Sequence, residues 1–196
     1  FMSFRKQKGF GIMKKVILAS LLCFFSLLSQ AQIVENLEYP SFHFGIRGAY
    51  TSNRAFFSGD GTSDSKIFGS LGLAMDFRIA SIPLYLETGW YYMNKGWEGS
   101  EDCDYDGGYD TDNHSVIMPM LASYHLYLTD NMSIQPFAGP YIGYGVDAER
   151  FDYGLRTGRG WNLGRLYVNT GYDFGFEREG YRTGTYFCTV GFNFCG

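Results

Sequence analysis

The residues best placed to do chemistry form one acidic stretch. Asp102, Asp104 and Asp106 alternate with Cys103 and Tyr105 and run into Gly107. Carboxylates at every second residue before a glycine are the first half of a calcium loop: their oxygens converge on the cation, and the glycine permits the sharp turn. Counting on, Asp110 falls at the ninth position and Asn113 at the twelfth, where a bidentate glutamate belongs. Asp112 is the nearest substitute. Residues 102–113 are therefore a candidate Ca2+ loop with an incomplete ligand set, to be weighed against a solvated acidic loop. No other cofactor is expected.

A nucleophile is harder to find. His114-Ser115 is the one His/Ser neighbour pair, and adjacent residues of a strand point to opposite faces. No nucleophile, base and orienting group occur together, so the chain is not expected to be an enzyme. His43 and His125 share a face but lack a third metal ligand. The glycines sit in strand-like runs rather than at a strand-to-helix turn, which excludes a phosphate-binding loop.

The framework that would position these residues begins with export. Met13-Lys14-Lys15, an apolar run over 16–28 and Ser29-Gln30-Ala31 make a positive n-region, an h-region and an A-x-A-like cleavage site. The run falls short of the roughly 20 residues of a spanning helix. The expectation is a leader over 1–31, with a secretory signal peptide at 13–31 cleaved before Gln32; residues 1–12 read as a misplaced start. Removing 1–31 takes five of the 16 basic residues and none of the 20 acidic ones, moving the net charge from −4 to −9. A nucleic-acid partner is disfavoured, because phosphate binding needs a basic face. Cys103, Cys188 and Cys195 remain, an odd number without a CxxC, so no disulfide framework is expected.

Beyond Gln32, apolar residues recur at period two in eight runs: 42–50, 67–79, 84–95, 115–128, 132–146, 151–161, 165–177 and 185–194. Short turns follow the second, fourth and sixth runs, and long connections follow the first and third. Pro136 and Pro140 fall together on the apolar face, which suggests a bulge there. The opposite face carries Gly, Ala, Tyr and charges of both signs, too few ordinary surface residues for a wet sheet. An eight-stranded antiparallel transmembrane up-and-down barrel accounts for this all-β pattern over 32–196. Its apolar face meets lipid, its polar face fills a narrow lumen, and closure leaves no unpaired edge. Outward Trp90, Tyr92, Tyr144, Tyr153 and Tyr186 fall toward the long-loop end. Phe42, Phe77, Trp161 and Phe194 fall toward the short-turn end, as in interfacial girdles.

Inside, Arg47, Asp76, Arg78, Glu87, Asp152, Arg156 and Asp173 are expected to form a charge network, with Lys95 and Glu177 on the same parity. Tyr85, Tyr91, Phe137, Tyr141 and Tyr167 share that side. An eight-stranded barrel has an interior just wide enough for side chains, so a plugged lumen is expected rather than a channel.

Three segments resemble a known group: Leu86-Glu87-Thr88-Gly89-Trp90-Tyr91 with Lys95-Gly96, Phe151-Asp152-Tyr153-Gly154-Leu155 with Gly158 and Gly160, and the terminal Val190-Gly191-Phe192-Asn193-Phe194. Together with the Ala31-Gln32 junction, the chain resembles the PorT-like outer-membrane β-barrel family and, more loosely, the OmpA/OmpX-like small barrels. The resemblance implies a location in the cell outer membrane of a Gram-negative envelope, and a terminal signal read by the barrel-assembly machinery. Outer-membrane lipid and envelope or secretion proteins are the partners it implies. The expected role is a structural or interaction scaffold presenting acidic outer loops. The alternatives are a narrow pore or secretion-system accessory and, more distantly, a lipid-modifying enzyme.

Overall fold

The computed structural model describes residues 40–57, 62–79, 81–98, 112–147, 149–177 and 180–195. The leader and signal segment lie outside these residues, as do Asp102, Asp104, Asp106 and Asp110 of the candidate calcium loop. The described chain is all β: β1 (Phe42–Phe57), β2 (Lys66–Arg78), β3 (Leu84–Asn94), β4 (His114–Tyr124), β5 (Leu126–Thr129), β6 (Met132–Gly145), β7 (Arg150–Leu163), β8 (Leu166–Gly175) and β9 (Tyr181–Cys195).

Apart from β4 and β5, each strand pairs antiparallel with its sequence neighbour, and β1 pairs with β9 from Phe44↔Cys195 to Phe57↔Tyr181, closing the sheet on itself. β4 and β5 are two segments of one stave, both paired to β6, so the closed sheet is an eight-stranded barrel. The expected single run over 115–128 breaks at His125, whose ring stacks on Tyr85 at 3.8 Å and 12°. The His125 backbone N–H still donates to Pro83 O at 2.8 Å.

The runs are longer than alternation alone marks. β1 continues to Phe57, because Asn53 and Ala55 still turn inward and are buried. No register shift accompanies Pro136 and Pro140: β6 pairs with β7 residue by residue from Met132↔Leu163 to Gly145↔Arg150. The irregularity falls on the other flank, where β4–β6 pairing skips Gly139 and Pro140. Proline lacks the N–H that this ladder position would need.

At one end the strands are joined by the short segments 79–83, 130–131 and 164–165, and at the other by the longer 58–65 and 95–113. Gly164 adopts φ +63°, the left-handed conformation glycine reaches without a Cβ penalty. Its N–H donates to Asn131 O at 2.6 Å, tying two short turns together.

The two faces separate as alternation predicts. Ile67, Leu71, Trp90, Tyr92, Phe151, Tyr153, Phe174, Tyr186 and Phe194 are exposed on the outside. Tyr85, Tyr91, Phe137, Tyr141, Tyr167 and Phe187 are buried inside.

Candidate functional site

The lumen is filled by a repeated device. Tyr91 lies directly across from Gly72, Tyr141 from Gly154, Phe137 from Gly158 and Phe187 from Gly171. Each ring lies over the glycine opposite. A Cβ at Gly72 would stand 2.5 Å from Tyr91 Cδ1, and one at Gly158 would stand 2.6 Å from Phe137 Cζ. Glycine inside a strand marks such a close approach. At these four positions the inner glycine leaves room for the ring facing it.

Charges occupy the space the rings leave. The Arg156 guanidinium donates from Nε to Asp173 Oδ1 at 2.6 Å and from Nη2 to Asp173 Oδ2 at 2.7 Å. β7 and β8 place the two residues opposite one another. Lys95, at the top of β3, reaches across the lumen to Asp152 Oδ2 at 2.6 Å and to the Tyr141 hydroxyl at 3.1 Å, and lies 4.0 Å from Asp173 Oδ2. One ammonium thus links three walls. Arg47 donates to Asn193 Oδ1 at 2.7 Å and lies over the Tyr167 ring at 4.2 Å, while Asn193 Nδ2 donates to Asn162 Oδ1 at 3.1 Å.

Asp76 and Glu87 are cross-strand neighbours, both buried, facing the same interior as Arg47. His43, paired in register with Asp76, keeps its Nδ1 3.8 Å from Asp76 Oδ2. Below lies an aromatic–imidazole layer. His125 stacks on Tyr85, whose hydroxyl donates to Pro40 O at 2.8 Å, and His43 and His125 have ring centroids 5.7 Å apart. This layer borders a cavity of about 300 Å³ at the short-turn end, lined in part by His43, Tyr127, Ser133, Asn162 and Asn193.

Asp152, Arg156 and Asp173 form one connected group through Lys95; Arg47, Asp76 and Glu87 are buried facing the lumen lower down, and Arg47 donates to Ile46 O and Asn193 Oδ1. Arg78 is half-buried at the strand end, where its backbone N–H donates to Ser41 O. Glu177 lies past the end of β8 and is exposed. The amides Asn162, Asn169 and Asn193 complete the polar filling, and the inner parity of β7, β8 and β9 is the signal that finds them.

His114 and Ser115 diverge. His114 Nδ1 lies 2.9 Å from the Tyr92 hydroxyl on the outer rim, whereas Ser115 Oγ points inward to Asn113 O at 3.3 Å. At the border of the acidic loop, Asp112 Oδ1 accepts from Lys66 Nζ at 3.0 Å and from Asn94 Nδ2 at 3.1 Å. These hydrogen bonds hold the Asp112 carboxyl below its ordinary range. Asn94 Oδ1 in turn accepts from the N–H groups of Gly96 and Asn113 at 2.8 and 3.0 Å. Among the described residues no group of three His, Cys, Asp or Glu side chains is arranged to hold a metal.

No family model matches the chain, so the PorT-like likeness stays a resemblance. No curated protein matches it in sequence. Among solved structures it is similar to Ail, the attachment invasion locus protein of Yersinia pestis, with 14% identity over 79% of this chain and 100% of that one at a TM-score of 0.46. It is also similar to Neisserial surface protein A, with 14% identity over 77% and 97% at 0.48. A major outer membrane protein from Thermus thermophilus aligns with 13% identity over 79% and 100% at 0.43.

Proposed function

We propose that this barrel spans the outer membrane of a Gram-negative envelope and works as a closed scaffold, holding its loops at the cell surface without passing solutes. Soluble monomers rarely expose contiguous apolar patches larger than a few hundred Å². Here the exposed side chains around the wall include Ile46, Leu71, Leu73, Trp90, Val116, Ile142, Leu155, Phe174 and Val190. Hydrocarbon is the solvent that such a surface fits. Export as read from residues 13–31, and assembly through the aromatic-ended β9, belong to the same proposal.

The observation that carries the closed-scaffold reading is the set of rings laid over glycines. Tyr91, Phe137, Tyr141 and Phe187 fill the bore from several staves, and the Lys95 and Arg156 bridges tie the walls between them. A bore filled in this way leaves no continuous aqueous path, and structural ion pairing accounts for its charges.

Planar-bilayer recording on the refolded protein tests it. Silence is the expected result. Discrete openings in the wild type would replace this reading with that of a narrow pore or secretion accessory, and the 300 Å³ cavity at the short-turn end would then be its vestibule.

A further inference from the structure

Taken as membrane-spanning, the barrel presents lipid with an outer face whose lower half, within the described strands, is free of charge except on one wall. Arg159 on β7 is exposed and stands four residues before that strand ends at Leu163. Tilted strands rise about 2.5 Å per residue along a barrel axis, so Arg159 lies about 10 Å above the short turns, inside the apolar belt. On the lower half of the described outer face it is the one charge. Strands elsewhere carry Ile46, Leu73 and Val190 four or five residues from the same end of the barrel.

Nothing in the wall neutralises it. Its cross-strand neighbours are Pro136 and Thr170. Thr170 Oγ1 lies 3.1 Å from Phe187 O, and the nearby Thr157 Oγ1 lies 3.3 Å from Phe137 O, so these hydroxyls serve their own sheet. The guanidinium instead lies over the Trp161 ring, 5.2 Å from its centroid. Trp161 is two residues nearer the short turns, so the cation is drawn toward that interface. A long cationic side chain that cannot remain in hydrocarbon reaches for the headgroup layer in this way.

A second copy of the chain would not supply the missing anion. Every acidic residue within the described strands (Asp76, Glu87, Asp152, Asp173) faces the lumen. A two-fold dimer through this wall would set arginine toward arginine. The phosphate of a membrane phospholipid lies at the right level, carries the right charge and presents oxygens that a guanidinium grips well.

We propose that Arg159 and Trp161 form a phospholipid site on the β6–β8 wall, in which one lipid of the leaflet next to the short turns is held by its phosphate. The acyl chains lie along the neighbouring apolar residues, and the headgroup is drawn inward at this wall.

This rests on the membrane-spanning reading, and the test separates the two. The refolded protein is taken into micelles containing dioleoylphosphatidylglycerol and read by native mass spectrometry. The wild type should retain one lipid, and Arg159→Leu about tenfold less, the scale of one lost charge-assisted contact. Arg159→Lys should keep part of the retention, and Trp161→Leu should weaken it. Leucine suits a lipid-facing position, so Arg159→Leu should still fold, as read by heat-modifiable gel migration. Equal retention by wild type and Arg159→Leu would overturn the site, as would equal wild-type retention of dioleoylglycerol, which lacks the phosphate. A wild-type dimer that Arg159→Leu dissociates would overturn it in favour of self-association. Failure of the membrane reading shows separately, as a wild type that stays soluble and monomeric without detergent.

Discussion

Arg156 clamps Asp173 with two parallel hydrogen bonds, at 2.6 and 2.7 Å, across the β7–β8 pair and in the interior of the barrel. Both side chains are almost fully buried, at 5% and 0% exposure. The pair has already met the desolvation cost of two charges, so its parts are far from independent. Asp173→Ala strands a buried guanidinium and should destabilise the barrel by about 3–5 kcal/mol in urea titrations of the micelle-embedded protein. Adding Arg156→Met should recover most of that loss, because a buried ion pair exchanged for apolar groups of similar volume is often close to neutral. A double variant no more stable than Asp173→Ala would show that Arg156 does not depend on this partner.

At the loop end, the Asp112 carboxylate gains hydrogen bonds from Lys66 and Asn94 that an unfolded chain does not keep. Its folded pKa is depressed below the ordinary 3.8. A depressed carboxylate contributes above its unfolded pKa and loses that contribution as pH falls through the folded value. The Asn94 clamp on the N–H groups of Gly96 and Asn113 should therefore persist through neutral and mildly acidic pH and loosen only below the ordinary carboxylate range. Carbon-detected NMR titration of Asp112 reads the midpoint directly, and Lys66→Ala should raise it. A midpoint at or above 3.8 in the wild type would refute the assignment.

Much of this architecture was legible because side-chain direction in a strand has period two. Phe137 and Tyr141 fall inward and Pro136 and Pro140 outward by parity alone, and the structure places them so. The inner charges Arg47, Asp76, Glu87, Arg156 and Asp173 were legible in the same way. Their partners were not: that Arg156 meets Asp173 depends on register, which the sequence leaves open between neighbouring strands. Parity also fails where the ladder stops. Met93, Asn94 and Lys95 are buried in succession at the top of β3, so Asn94 turns inward to its clamp although alternation points it out. His125 keeps its inward parity across the break between β4 and β5, but its stacking on Tyr85 follows from the β3–β4 register and not from local sequence.

The aromatic–glycine pairs give a steric prediction with an internal control. At Gly158 a methyl group would meet Phe137 Cζ at 2.6 Å and the Thr170 carbonyl oxygen inside contact distance. The ring has little room to yield among the other lumen aromatics. Gly158→Ala should cost about 1–3 kcal/mol, the usual penalty of overpacking. Gly48 faces outward, and a Cβ there would come no nearer than 4.0 Å to any neighbour, so Gly48→Ala should be neutral or slightly stabilising. Urea midpoints of the two variants in the same micelle provide the comparison; equal effects would mean that the rings do not set the cost.

Lys95 offers the sharpest test of how the lumen charges share their load. Its side chain is only 2% exposed and holds Asp152 and the Tyr141 hydroxyl, yet neither partner depends on it as Arg156 depends on Asp173. Asp152 retains 22% side-chain exposure, so water can take over part of its hydrogen bonding. Asp173 lies 4.0 Å from Lys95 and keeps both contacts to Arg156. Lys95→Met removes the charge but leaves a chain of similar length packed against the Tyr141 ring, where the ammonium now stands 4.2 Å from the centroid. The loss should be about 1–3 kcal/mol, clearly below that of Asp173→Ala, because the anion left behind is partly solvated. The ranking matters more than either value. If Lys95→Met proved the more damaging of the two, the lumen would be held by its cross-barrel bridge rather than by the pair within the β7–β8 wall.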